Sequence, residues 1–300
     1  MTTNPSASVL ARLLNLAKQR GVDYNLLLNR FALERLLCRV AASPHADRFL
    51  LKGALLFALW YDEPHRPTRD ADLLGSGPDD AASLIVTFRD IAAIHMDDGI
   101  AFDPQSVRVD TIREDNRYGG LRVRLTARID NLRCALQIDV GFGDAVTPAP
   151  RSVVFPVLLD DLAAPKLRVY PVYTVIAEKY HAIVVLGLAN SRMKDFYDIA
   201  VIAQRSELDG ATLAKAIAAT FARRTTPLPA QPPLALTAAF SEDNAKQRQW
   251  QAFQNKSRIL AMDLPKTVTL LHTLLWPATQ VAASNSMATA VWKPHTHRWI

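Results

Sequence analysis

A chain of 300 residues, 49% hydrophobic and 21% charged, can bury one large core or two modest ones. No run reaches the roughly 18 uninterrupted apolar residues of a membrane span, and the N-terminal MTTNPSASVLARLLN has neither the basic start nor the cleavage site of a secretory leader. Cys38 and Cys134, both in apolar contexts, exclude a disulfide framework and suit buried thiols in a reducing cytoplasm. The net charge of +6 lies wholly in residues 201–300, which carry 11 Lys and Arg against 5 Asp and Glu. A basic module beside a neutral one suits nucleic acid, although solubility charge has the same look.

Apolar spacing predicts helices over residues 6–20 and 23–42, separated by Gly21-Val22-Asp23 and stopped at Ser43-Pro44. Phe49 to Leu51 reads as a short strand and Ala54 to Trp60 as a buried helix. The two prolines between Asp62 and Pro67 predict a turn. Arg69 to Leu74 reads as a strand ended by Gly75-Ser76-Gly77-Pro78, and residues 79–96 as an amphipathic helix. The period then changes to two: Val107 to Ile112, Leu121 to Ile129 and Leu136 to Val140 alternate as half-buried strands. Arg122, Arg124, Thr126 and Arg128 fall on one face, opposite Leu121, Val123, Leu125, Ala127 and Ile129. Helices return at 173–189, 192–204 and 209–222. A proline-rich connector, Thr225 to Leu234, leads to two more near 241–256 and 265–282. The domain reading is residues 1–42 as helices packed on a core, 43–165 as that core, and 166–300 as a helical domain, basic in its last third.

Chemistry concentrates at Asp70 and Asp72. Two residues apart on a strand, they share a face while Ala71 and Leu73 point into the core. Side-by-side carboxylates repel unless a cation neutralises them, and hard divalent ions take carboxylate oxygens together with substrate phosphates. A lone Asp-x-Asp is more often a solvated turn, so corroboration matters. Asp139, in LQIDVGFGDAV and on its strand's polar face, would complete a three-carboxylate cradle for one or two Mg²⁺ ions. Gly53 lets backbone approach a phosphate, with Lys52 beside it. Lys179, mid-helix between Ile176, Ala177, Ile183 and Val184, is a cation too apolar in its setting for a mere surface charge. Asp195 and Asp198 share a helix face one segment later. Neither a phosphate-binding Gly-x-x-x-x-Gly-Lys, a dinucleotide fingerprint nor a serine nucleophile elbow occurs. His295 and His297 make a poor metal signal.

These residues sit in RFLLKGALLFALW, RPTRDADLLG, QIDVGFGD, AEKYHAIVVLGLANSRMKDFYDI and ATFARRTTPLP, followed by a helix around Trp250. In that order the chain resembles, over nearly its whole length, the AbiEii/AbiGii toxin family of nucleotidyltransferases in the DNA polymerase β-like superfamily. It departs at Gly53-Ala54, where the superfamily has Gly-Ser, so no hydroxyl meets the phosphate there. The resemblance implies a mixed α+β nucleotidyltransferase core with a small mixed sheet, N-terminal helices and a helical C-terminal region. It implies a Mg²⁺-dependent (or Mn²⁺-dependent) enzyme of a bacterial toxin–antitoxin or phage-defence system. Such an enzyme adds NMP from NTP to the 3′ acceptor end of tRNA, blocks aminoacylation, and answers to a cognate antitoxin from a neighbouring gene. The catalytic set it implies is Asp70, Asp72, Asp139, Lys179 and Asp195, with Asp70, Asp72 and Asp139 on the metal. Nucleotide contacts fall to Lys52, Gly53, Ala54, Arg69, Lys179, Lys194 and Asp198. The basic C-terminal third, with Arg223, Arg224, Lys246, Arg248, Lys256 and Arg258, reads as the RNA-facing surface. Nucleotide transfer to a protein hydroxyl, or an inactive RNA-binding module, are the rival readings.

Overall fold

The computed structural model describes residues 5–61, 66–112, 119–284 and 290–300. It divides into two compact units, residues up to 143 with 151–169, and residues 144–150 with 170–300. Most of the turn predicted at Asp62–Pro67 lies outside the described residues.

The first unit opens with α1 (Pro5–Arg20) and α2 (Tyr24–Ala42). Gly21 turns the chain at φ +63°, and Asp23 caps α2 by accepting from the Leu26 N–H. α2 is buried along most of its length and carries charges inward, each with a partner. Arg39 donates to Asp98 at 2.7 Å, and Glu34 accepts from Arg35 at 2.6 Å and from the Leu158 N–H at 2.8 Å. Such pairs hold a helix to its neighbours because either charge left alone would be costly to bury.

Seven strands follow: β1 (Phe49–Lys52), β2 (Asp70–Gly75), β3 (Ala101–Ile112), β4 (Gly120–Ile129), β5 (Leu132–Phe142), β6 (Arg151–Val154) and β7 (Lys166–Val169). Their order is β3-β4-β5-β2-β1-β7-β6. β2 runs parallel to β5 and β1 parallel to β7, while the remaining pairs are antiparallel. The fold class is therefore mixed α+β, with a sheet larger than the alternating segments alone predict, since β6 and β7 are too short to show a period. α3 (Leu56–Tyr61) follows a 3₁₀ turn at Gly53–Leu55, and α4 (Ala81–Ala93) is capped by Asp80. β3 starts six residues earlier than its alternation, with a register shift between Asp103 and Arg108. Pro104 inside it is tolerated because β3 is an edge strand. Ala71, Leu73, Val123, Leu125, Ile138 and Val140 are buried on one sheet face.

The second unit comprises α5 (Val172–Leu186), α6 (Met193–Arg205), β8 (Leu208–Asp209), α7 (Gly210–Arg223), α8 (Ala238–Ser241), α9 (Asn244–Ser257), α10 (Leu264–Ser284), β9 (Val291–Lys293) and β10 (Arg298–Trp299). The terminal VWKPHTHRWI, without a motif of its own, forms a hairpin on β8. Trp292 within it is fully buried and donates its indole N–H to the Ala203 carbonyl at 2.7 Å. Val172–Ala189, with a mean hydropathy of 1.4, is long and apolar enough by length and composition to cross a membrane, although Glu178 and Lys179 interrupt its apolar run. Here it packs as a core helix, and Lys179 and His181 on it find partners on α6 and beyond α7. Cys38 is buried as expected, whereas Cys134 is half-buried near a strand start.

Candidate active site

The strand register assembles the acids. Asp72 lies opposite Asp139 across the parallel β2–β5 pair, and Asp70 lies opposite Gln137. Residues in register on neighbouring strands share a face about 4.8 Å apart. The row extends both ways: Lys52 pairs with Asp72 across β1–β2, Arg122 with Asp139 across β4–β5, and Asp110 with Arg122 across β3–β4. Read across the sheet it runs Lys52, Asp72, Asp139, Arg122, Asp110. A second row runs Asp70, Gln137, Arg124, Arg108.

Arg122 forks Asp139, with both hydrogen bonds at 2.8 Å. Its pKa is held up by those bonds and by the charges of Asp139, Asp70 and Asp110. The three acids thus share one face, but among the described residues no three carboxylate, imidazole or thiolate side chains form a group ready to hold a metal ion. The expected three-carboxylate cradle is not assembled among the described residues, and both oxygens of Asp139 are directed to Arg122.

Gly53 is fixed by two independent constraints. Its φ is +76°, a backbone that L residues rarely adopt. A Cβ there would also sit 1.9 Å from Asp72 Oδ2. The missing side chain is the space in which the Asp72 carboxylate stands. Asp70 and Asp72 present hard oxygen donors of the kind a divalent cation takes, on one face of β2. Lys52 precedes Gly53 at the end of β1, Ala54 is buried, and Arg69 is exposed just before β2.

In the second unit Lys179 of α5 reaches across to α6. Its Nζ lies 2.9 Å from Asp195 and 2.7 Å from Asp198, both fully buried, and Arg192 meets the other Asp195 oxygen at 2.7 Å. Burial pushes the Asp195 carboxyl up, yet Lys179, Arg192 and Lys194 together outweigh it and hold its pKa below the ordinary range. Lys179 therefore belongs to a charge network between two helices, which its apolar flanks alone do not show. Lys194 is exposed at the start of α6.

Two residues assigned to an RNA-facing surface are not on one. Arg224 is mostly buried and pairs with Asp144 at 2.9 Å and Glu178 at 3.8 Å. Lys246 is buried and donates to the Asn190 carbonyl at 3.0 Å. Counting charges cannot see burial, but spacing can: Lys246 stands four residues before buried Trp250 on the inner stripe of α9. Arg223, Arg248, Lys256 and Arg258 are exposed.

Residues 35–281 match the family model for the nucleotidyl transferase AbiEii toxin of Type IV toxin–antitoxin systems. The chain belongs to the AbiEii family. The AbiEii assignment brings nucleotidyltransferase chemistry and a toxin–antitoxin setting with it. No curated protein matches the chain. Among solved structures it is similar to JHP933 from Helicobacter pylori, at 15% identity over 86% of this chain and 94% of that one, TM-score 0.45. A candidate nucleotidyltransferase from H. pylori is similar at 15% identity over 87% and 98%, TM-score 0.46.

Proposed function

We propose that this AbiEii-family chain transfers NMP from an NTP to the 3′-terminal hydroxyl of tRNA, releasing pyrophosphate and so blocking aminoacylation, with Mg²⁺ as its metal and a cognate antitoxin as its partner. The observation that carries this reading is the in-register pair of Asp72 and Asp139, with Asp70 on the same face and Gly53 hollowed out behind Asp72. Asp70, Asp72 and Asp139 would hold divalent cations, which when bound neutralise phosphate charge and acidify the attacking hydroxyl. Asp139 takes the hydroxyl proton as the oxygen attacks the α-phosphorus and the bond to pyrophosphate breaks. Arg122 positions the Asp139 carboxylate through two hydrogen bonds. The Gly53 backbone and Lys52 face the triphosphate.

The test is transfer of label from each α-labelled NTP in turn to total tRNA with Mg²⁺. Wild type labels ribonuclease-sensitive material, and Asp72→Asn loses that labelling by at least about 10²-fold. Equal labelling by Asp72→Asn overturns the reading. Label that survives ribonuclease and falls to protease assigns the acceptor to protein instead.

A further inference from the structure

The outward sheet face that carries the acids also carries arginines in an arrangement that folding disfavours. Register sets Arg124 of β4 opposite Arg108 of β3, and Arg128 of β4 opposite Arg133 of β5. All four are exposed. Like charges directly opposite on a sheet destabilise it. Among the described residues only Arg124 of the four has a carboxylate partner, Asp110 at 2.6 Å. Arg108 donates instead to the carbonyls of Gln105 and Val107. The face therefore keeps a concentration of cation that its own acids do not match, although residues 1–200 as a whole are neutral.

Beside Asp70 lies a cavity of about 380 Å³, lined by Arg69, Arg124, Thr126 and Gln137 together with Asn29 of α2 and the core-side Leu125 and Leu136. Asn29, one of the lining residues, has its side-chain oxygen buried without a hydrogen-bond partner, a cost of roughly 1–3 kcal/mol. Planar guanidinium groups and amide side chains are the groups that stack on and read the edges of an unstacked base. From the Arg128–Arg133 row to the Asp72–Asp139 row is six residues of strand, about 20 Å, room for several nucleotides of a single strand.

We propose that the outward face of β3–β5 is the track of the acceptor RNA strand. Its phosphates lie on Arg108, Arg124, Arg128 and Arg133, one unstacked base fills the cavity beside Asp70, and the 3′ end is delivered to the carboxylate row. The choice of RNA over the incoming nucleotide follows from sides. Gly53 and Lys52 stand on the β1 side of Asp72, and the arginines and cavity stand on its β5 side. The inference rests on the reading that the chain transfers a nucleotide to RNA, and it moves the RNA surface from the basic C-terminal third to a sheet face.

Fluorescence anisotropy of the full chain with labelled tRNA, titrated at several salt concentrations, tests it. Two charge-reversed pairs are needed, Arg108→Glu with Arg124→Glu and Arg128→Glu with Arg133→Glu. Each weakens RNA binding by about tenfold or more and flattens the salt dependence, because each lost phosphate contact removes roughly 0.7–0.9 from the slope. Asn29→Ala with Gln137→Ala weakens RNA binding by about three- to tenfold. NTP affinity, read by equilibrium dialysis, stays within twofold in all of them. If a reversed pair does not fold by circular dichroism, the matching Arg→Gln pair substitutes, with a loss of about threefold. Wild-type RNA affinity in the sheet variants overturns the track, as does loss on Arg248→Glu with Lys256→Glu alone, while label transfer to RNA by the wild type leaves the enzymatic reading intact. A fall in NTP affinity in the Asn29 and Gln137 variant assigns the cavity to the incoming nucleotide and also overturns it. Failure of the wild type to label RNA at all removes the enzymatic reading and the track together.

Discussion

Gly53→Ala is the substitution whose consequence can be worked most fully from geometry. It carries two costs. A non-glycine residue in the left-handed region costs about 1–2 kcal/mol, which φ +76° invokes directly. The added methyl also meets Asp72 Oδ2 at 1.9 Å, and ordinary contact begins near 3.4 Å, so the carboxylate must retreat by about 1.5 Å. A displacement of that size in a reacting constellation lowers turnover by about 10²-fold, close to 2.7 kcal/mol of barrier. Gly21→Ala is the matched control: its φ is +63°, but nothing lies within 4 Å of the new methyl. The two variants therefore share the backbone penalty and differ in the Asp72 contact. Thermal melting should fall by about 3–6 °C in both, while label transfer should collapse only in Gly53→Ala. Transfer by Gly53→Ala within threefold of wild type would refute the placing of Asp72 in the chemistry.

Three further substitutions probe the second unit. Lys179→Met leaves fully buried Asp198 without its cation and Asp195 with Arg192 alone, so urea denaturation should show a loss of about 3–5 kcal/mol; a loss under 1 kcal/mol would mean the ion triad is not structural. His181 is held neutral, its pKa pushed down to about 4 by burial and then by the neighbouring Arg224 charge. Because the unfolded imidazole titrates near 6.5, its contribution is complete above that pH and is lost as pH falls toward 4. The change is about 2–3 kcal/mol after allowance for partial solvent access, and His181→Gln should flatten the stability profile over that window alone. Trp292→Ala removes a fully buried indole and its bond to Ala203 and should cost about 3–5 kcal/mol by chemical denaturation; a loss below 1 kcal/mol would show that the terminal hairpin is dispensable to the unit.

Much of the first unit was legible because its strands obey a period of two. That period put Asp70, Asp72 and Asp139 on polar faces opposite buried neighbours, and put Arg122, Arg124 and Arg128 together on one face of β4. What it cannot supply is register. Nothing local says that Asp139 faces Asp72 rather than Asp70, or that Arg122 and not Arg124 takes Asp139. A slip of two residues preserves every buried side chain and rearranges every polar pair. The short strands β6, β8, β9 and β10 were invisible for the opposite reason, since two to four residues carry no period. In α6 the sequence placed Asp195 and Asp198 on one face, and only packing against α5 gives them Lys179.

The two units use charge differently, and the difference separates what stabilises from what acts. In the second unit the inward cations find acids or carbonyls: Lys179 with Asp195 and Asp198, Arg224 with Asp144 and Glu178, Lys246 with the Asn190 carbonyl. Removing one partner there would expose a buried charge, so these groups follow from folding alone. On the sheet face the local rules fail repeatedly. Acid faces acid at Asp72 and Asp139, arginine faces arginine twice, a glycine holds a left-handed backbone against a carboxylate, and an amide oxygen is buried unpaired. Each is unfavourable for the unliganded fold, and all lie on or beside one face. Departures from local consistency that gather in one place mark where a ligand supplies the missing partner. On the proposed reading, the phosphates of an RNA strand would be the partners of Arg108, Arg128 and Arg133.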